Sequence, residues 1–407
     1  MQLYHHQLEN GIRIVHKKTN RAVAHCGLII MGGSRDESED EQGLAHFIEH
    51  VIFKGTQKRK AYHILSRMED VGGEINAFTT KEETCIHSSF MPKFYERSLE
   101  LLSDIIFNSI FPKKELEKEK IVVLDEINYY KDNPSELIFD EFEEQMFGNH
   151  SLGKNILGTP KHLKTFNKTM INDFIYRNYL TNEMVISSVG NITMSKLISY
   201  VEKHFAHIPK SQTNRIQIPF TNYQKKDVST QKKGFQSHCI IGNEAYGVKH
   251  PKKTPLTLLN NILGGPGMNS RLSLAIREKY GFTYSIESNY TAYSDTGIFS
   301  IYLASDTDKI DKSIKLTKRE LAKLCEKPLG TLQLKKAKQQ LIGQIAIGQE
   351  NEVNLMLSLG KSVLLYNKVD TFDILKDKIE AVSSAQILEV ANEIFNEDKL
   401  SHLIYKV

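Results

Sequence analysis

The stretch His46-Phe47-Ile48-Glu49-His50 decides most of the interpretation of this chain. The two histidines stand at positions i and i+4, which lie on one face of an α-helix, so both imidazoles can reach one metal ion. Neutral imidazole is a good zinc ligand, and a catalytic zinc usually has three protein ligands and one water. Glu49 can take a proton from that water without being a ligand itself. The pattern H-x-x-E-H, the reverse of the order H-E-x-x-H, therefore predicts a catalytic zinc site.

The residues around the motif predict that it lies on a helix. Apolar side chains recur at helical spacing between Leu44 and Ile52. The acidic run 36–41 precedes them and suits the positive end of a helix dipole. Lys54-Gly55 is a stop signal. For the five-residue pattern alone, the alternative is a solvated helix that carries two histidines by chance.

A third ligand is expected on a second helix. The segment 113–131 lies between two prolines and is rich in helix-forming residues. Within it, Glu119 and Glu126 are separated by two helical turns and share one face. Asp125 competes with Glu126, but its side chain would point about 100° away on an ideal helix. The residues alone leave Glu119, Glu126 and Asp125 as candidates.

With these features the sequence resembles the inverzincin peptidases, the family of pitrilysin, insulin-degrading enzyme and the mitochondrial processing peptidase. In that family the third zinc ligand is a glutamate on a later helix, and another glutamate seven residues before it supports the site. Glu126 and Glu119 stand at those positions. The resemblance implies one Zn²⁺ per chain, held by His46, His50 and Glu126, with Glu119 as the supporting residue.

Two further segments extend the resemblance to substrate binding. Gly72–Thr79 matches the family pattern G-G-x-x-N-A-x-T, which implies that Asn76, Ala77 and Phe78 pair with an extended substrate as an edge strand. In the second half of the chain, Arg277 and Tyr284 have the spacing of an arginine and a tyrosine that contact the substrate backbone. Taken alone, the arginine could form a surface ion pair, and the tyrosine could be a half-buried strand aromatic.

A faint internal repeat predicts two similar domains. Each half shows a strand, two helices, two strands and a further helix in the same order, but only the first half carries H-x-x-E-H. We expect an α+β fold in which each domain is a mostly antiparallel sheet packed against helices. The predicted division is a zinc-binding domain over 1–207, a linker over 208–228 and a substrate-binding domain without metal over 229–407.

Composition narrows the class of protein and its location. The chain has 407 residues, of which 53 are basic and 49 acidic, and a formal charge of +4 gives no reason to expect a nucleic-acid partner. No apolar run is long enough to span a bilayer, and no basic and apolar leader precedes the first strand. The four cysteines are scattered without a C-x-x-C pair. These features predict a cytoplasmic protein in a reducing compartment, without a membrane partner.

The resulting hypothesis is a zinc metalloendopeptidase with Glu49 as general base. The resemblance implies a substrate that is a short peptide or an unfolded polypeptide, cleaved inside a closed dimeric chamber. Since this chain carries both the zinc motif and the arginine–tyrosine pair, a homodimer is expected, with a heterodimer of two related chains as the alternative. The alternative function is a non-catalytic structural or assembly subunit with the same fold.

Overall fold

Eleven β-strands form two sheets in the part of the chain that the structure describes, which is residues 3–407 of a computed structural model. The strands are β1 (Leu3–Gln7), β2 (Arg13–Lys18), β3 (Ala24–Ile30), β4 (Glu74–Thr79), β5 (Thr84–Phe90), β6 (Met184–Gly190), β7 (Asp227–Gln231), β8 (Ser237–Ala245), β9 (Ser285–Ala292), β10 (Gly297–Ser305) and β11 (Ser401–Lys406).

Helices cover these sheets. They are α1 (Leu44–Val51), α2 (Ala61–Glu69), α3 (Tyr95–Phe107), α4 (Lys113–Lys131), α5 (Pro134–Phe147), α6 (Pro160–Thr165), α7 (Lys168–Asn178), α8 (Met194–Phe205), α9 (Lys253–Gly264), α10 (Ile310–Glu326), α11 (Thr331–Gln349), α12 (Glu352–Tyr366), α13 (Phe372–Glu380) and α14 (Ser384–Ile394). A π-helical segment, Ser273–Glu278, lies between α9 and β9. The predicted zinc-motif helix and the predicted helix over 113–131 are α1 and α4.

The two sheets share one plan. The first has the order β1-β2-β6-β3-β5-β4 and the second the order β7-β11-β8-β10-β9. Each contains one parallel pair, β2 with β6 and β7 with β11, and all its other pairs are antiparallel. The sheet edges β4 and β9 occupy equivalent places. The structure therefore confirms the predicted fold class of two similar α+β domains, each with a mostly antiparallel sheet.

Both faces of the first sheet are buried, and side chains alternate between these faces along each strand. Ile14, Leu28 and Ile86 belong to a core that α1 and α3 also enter. Their neighbours Val15 and Ile29 belong to a separate cluster on the other face, which α12 covers with a run of apolar residues. Because successive strand residues point to opposite faces, a sheet covered on both sides needs apolar residues at nearly every position. Coverage on both sides explains why every residue of β6 is buried.

The compact units are not continuous in sequence. Unit 1 contains the described residues up to Asn128 together with Lys154–Ile218 and Ile347–Thr371, and unit 2 contains Tyr129–Gly153, Pro219–Ala346 and Phe372–Val407. Helix α5, from the first half of the chain, packs with the second sheet, and α12, from the second half, packs with the first. The predicted division into 1–207 and 229–407 does not include this exchange of helices. The zinc-binding role of the first half and the substrate-binding role of the second half stay predictions. Residues 209–226 contain no helix or strand.

Two further expectations concern membranes and thiols. Among the described residues, no helix is long and apolar enough to cross a bilayer. Cys26, Cys85 and Cys239 are free and buried, and Cys325 is free and partly buried. Burial raises the pKa of Cys26 to about 12, which makes this thiol an inert core group.

The close packing of α12 on the first sheet gives a testable prediction. A Cβ added at Gly360 would overlap the Cδ1 of Ile29 and lie 2.9 Å from the Cβ of Ser187. We expect Gly360→Ala to lower the free energy of unfolding by about 1–3 kcal/mol through overpacking, measured by urea denaturation. Gly343→Ala on α11 is the control, since a Cβ there meets no atom within 4 Å. An unchanged urea midpoint for Gly360→Ala would contradict the tight packing.

Candidate metal centre

Helix α1 presents both motif histidines from one face. Its apolar side chains, including Leu44, Phe47 and Ile48, are fully buried in the core of unit 1 and fix the rotation of the helix. His46 and His50 then lie one above the other, with ring centroids 4.7 Å apart and ring planes at 68°. His46 is 8 % exposed. Burial, and to a smaller extent His50, lowers the pKa of His46 to about 4, so its imidazole is neutral at neutral pH and able to bind a metal.

Helix α4 brings a carboxylate to the two rings. The Oε2 of Glu126 lies 3.4 Å from the Nε2 of His50 and 3.7 Å from the Nε2 of His46. One ligand atom from each residue lies within 4.8 Å of the other two, and no other such group of metal-ligating side chains occurs in residues 3–407. Two imidazoles and one carboxylate form a donor set that suits zinc, so the residues fit the predicted ion. Asp125 is exposed and lies outside the group.

Glu49 lies beside this group without being part of it. Burial raises the pKa of its carboxyl, while Thr79 at the end of β4 and the nearby His50 lower the pKa. The charge of Glu126 raises it. The carboxyl of Glu49 thus lies near both the candidate ligands and the edge strand. That position suits a group that exchanges protons with a water or with a substrate.

Glu119 occupies a buried position two turns before Glu126 on α4. It is 6 % exposed, and its Oε1 lies 2.7 Å from the Nζ of Lys54, in the turn after α1. Its Oε2 is buried without a hydrogen-bond partner among the described residues, as is the Nδ1 of His46. Sequence reasoning missed Lys54 as the counter-ion of Glu119, because nothing in the spacing of two separate helices signals that pair.

The predicted substrate strand is β4, at the edge of the first sheet. Among the described strands it pairs with β5 alone, with Asn76 opposite His87 and Phe78 opposite Cys85. Ala77 points into the core that α1 also enters, whereas Asn76 is exposed. The other edge of β4 therefore offers backbone N–H and C=O groups for a further strand.

Arg277 and Tyr284 both lie in unit 2. Arg277 is on the π-helical segment, and its Nε lies 3.2 Å from the Oε1 of Glu278. This contact is the surface ion pair that the sequence left open. Tyr284 precedes β9 and is 87 % exposed, which excludes the half-buried alternative. π-helical turns are frequent at functional sites.

The two repeated units and the reversed zinc motif in one of them are those of an inverzincin-type metallopeptidase. The chain belongs to peptidase family M16, the insulinase family. Residues 13–160 match the description "Insulinase (Peptidase family M16)", and residues 165–341 match "Peptidase M16 inactive domain". The inactive-domain match extends over most of the second sheet, where no metal group occurs among the described residues.

Relatives along nearly the whole chain support this assignment. The chain is 34% identical over 399 residues to the uncharacterized zinc protease YmxG of Bacillus subtilis, covering 97% of this chain and 96% of the relative. It is 28% identical over 395 residues to the mitochondrial-processing peptidase subunit beta of Bos taurus, covering 95% of this chain and 80% of the relative. A protease from Helicobacter pylori has the same fold, with a TM-score of 0.91, 20% identity and coverage of 100% and 99%. These comparisons confirm the family that the motifs predicted.

Proposed function

We propose that the protein is a zinc metalloendopeptidase that cleaves short or unfolded polypeptides, with Glu49 as general base. The observation that carries this proposal is the convergence of His46, His50 and Glu126 within 4.8 Å of one another, next to Glu49. Relatives that are named zinc proteases support a metallopeptidase of this kind. Zn²⁺ held by the three residues would polarise the scissile carbonyl and lower the pKa of a water.

The residues around the ion have separate roles in this mechanism. Glu49 accepts a proton from the attacking water and delivers it to the leaving nitrogen. Its position next to His50 and beside Thr79, at the end of the proposed substrate strand, suits this exchange. Glu119 supports the ligand residues without binding the ion itself, and its ion pair with Lys54 holds its side chain in place.

The substrate would bind as an additional strand on the edge of β4. Backbone groups of Asn76, Ala77 and Phe78 would pair with it, so affinity would come mainly from main-chain hydrogen bonds. This mode requires an extended chain, which favours peptides and unfolded segments over folded proteins. Arg277 and Tyr284 would hold the substrate backbone from an opposing wall, and the strong exposure of Tyr284 supports a binding role.

A homodimer would combine these parts. The chain carries both the zinc motif and the arginine–tyrosine pair, so two copies would form a closed chamber with two composite sites. The relative from Bos taurus is by its name one subunit of a larger peptidase, which supports assembly of two chains and keeps a heterodimer as the alternative. A fully active monomer in analytical ultracentrifugation would contradict the dimer.

The test of the proposed function joins metal content with cleavage. We expect about one zinc per purified chain and cleavage of an unstructured quenched peptide that stops with a chelator and returns with Zn²⁺. Zinc without cleavage of any unstructured peptide would contradict a general peptidase and indicate one dedicated substrate or a missing partner chain. Neither zinc nor cleavage after metal is added would favour the non-catalytic subunit.

A further inference from the structure

The acidic run before α1 contains one carboxylate that reaches the start of the metal-binding helix. Glu37 accepts a hydrogen bond from the backbone N–H of Gly43 at 2.9 Å and another from that of Ala45 at 2.8 Å. Two other acids of the run have different partners. Asp36 accepts from the N–H of Gly33, and Glu41 from that of Ser38.

Helix α1 has no cap of the usual kind. Its N-cap residue is Gly43, which has no side chain and a left-handed backbone with φ of 92°. A Cβ at Gly43 would lie 2.6 Å from the carbonyl oxygen of Leu157 and 2.7 Å from the Cα of Gly158. Serine, threonine, aspartate or asparagine, which normally cap a helix, cannot occupy this position. Glu37 therefore supplies from six residues upstream the acceptor that the N-cap residue lacks.

The capped end of α1 is also where the metal ligands begin. Ala45, whose N–H is bound, directly precedes His46, and His50 follows one turn later. The helix has only 8 residues, so a displacement of its first turn would shift the rest of the helix as well. A small rotation of that turn would move both imidazoles relative to Glu126, which α4 holds independently. Metal affinity depends steeply on such orientation.

From this geometry we propose that Glu37 is a positioning residue of the metal centre. It fixes the first turn of α1 so that His46 and His50 face the carboxylate of Glu126. The inference rests on the proposed metal site, and it adds a residue that contacts neither the ion nor the substrate.

The experiment compares Glu37→Ala, Glu37→Gln and the control Asn351→Ala in the full-length protein. Asn351 caps α12 by accepting from the N–H of Asn354 at 3.0 Å, and α12 lies on the opposite face of the first sheet. For each variant, the Kd for Zn²⁺ is measured by competition with a chromophoric chelator, and the melting temperature is measured with and without Zn²⁺.

We expect Glu37→Ala to weaken Zn²⁺ binding by about 10- to 100-fold, the range found for residues that orient metal ligands. Glu37→Gln keeps the shape but only one acceptor oxygen, so a several-fold loss is expected, and this variant decides the matter if the alanine variant does not fold. Asn351→Ala should lower the melting temperature of the metal-free protein without changing the Kd. A wild-type Kd in Glu37→Gln, or in a folded Glu37→Ala, would overturn the inference. Failure of the wild type to bind Zn²⁺ would instead overturn the proposed function.

Discussion

Glu49→Gln is expected to abolish peptide cleavage while leaving zinc bound. Glutamine has nearly the same shape as glutamate but cannot accept the proton of the attacking water, and general acid–base catalysis contributes about 10²- to 10⁴-fold to a rate. His46, His50 and Glu126 are untouched by the change and lie within 4.8 Å of one another without Glu49. We therefore expect kcat to fall by about three orders of magnitude at unchanged metal content.

Three measurements check this expectation. Cleavage of a quenched peptide gives kcat and KM, elemental analysis gives zinc per chain, and the melting temperature shows that the variant is folded. Asp125→Asn is the matched control, because this carboxylate neighbours Glu126 in sequence but is exposed and lies outside the ligand group. It should retain wild-type kcat. Substantial activity in Glu49→Gln would exclude Glu49 as the base, even if zinc is present.

The metal centre could be predicted from sequence because its parts are local. His46 and His50 share one helical turn, and the helix bounds of α4 follow from the prolines on either side. The third ligand on α4, in contrast, could not be chosen from local spacing. Spacing alone left three candidates, and the resemblance favoured Glu126. The structure separates them by position, with Glu126 at the rings, Glu119 on Lys54 and Asp125 at the surface.

The exchange of helices could not be predicted from sequence in the same way. An amphipathic pattern shows that α5 and α12 each bury a face, but not which sheet covers it. Only contacts distant in sequence show this, such as Phe142 of α5 against Gly242 of β8 and Gly360 of α12 against Ile29 of β3. The cap by Glu37 was hidden for a similar reason. The acidic run predicted a favourable interaction with the positive end of the helix dipole. It did not show which acid serves as the cap, because the positions of Gly43 and Leu157 in the fold decide this.

A mixture of two inactive variants is expected to regain activity if the active site is composite. One chain carries Glu49→Gln, and the other carries Arg277→Ala together with Tyr284→Ala. Each homodimer would have a defect in both of its sites. In a mixed dimer, however, one site would combine the intact zinc half of the second chain with the intact arginine and tyrosine of the first. Random pairing after co-expression would leave about one quarter of all sites intact, by the symmetry of a two-fold dimer.

The second parent in this mixture should itself be strongly impaired. A hydrogen bond to a charged group contributes about 1.5–3 kcal/mol, so loss of the Arg277 contact alone would reduce kcat/KM by roughly one to two orders of magnitude. The exposed phenol of Tyr284 has few structural contacts to lose, so this part of the change should not disturb folding. Unaltered cleavage by the double variant would contradict a substrate-binding role for both residues.

The control mixture joins Glu49→Gln with His46→Ala. Both defects then lie in the zinc half, so no pairing of chains produces an intact site, and activity should stay at the level of the parents. Restoration in the first mixture but not in the second would support a site built from two copies of the chain. If neither mixture regains activity although mixed dimers are shown by two affinity tags, then the zinc ligands and the arginine–tyrosine pair of a single chain form one site. The composite homodimer would then be wrong, while the zinc chemistry at Glu49 would remain.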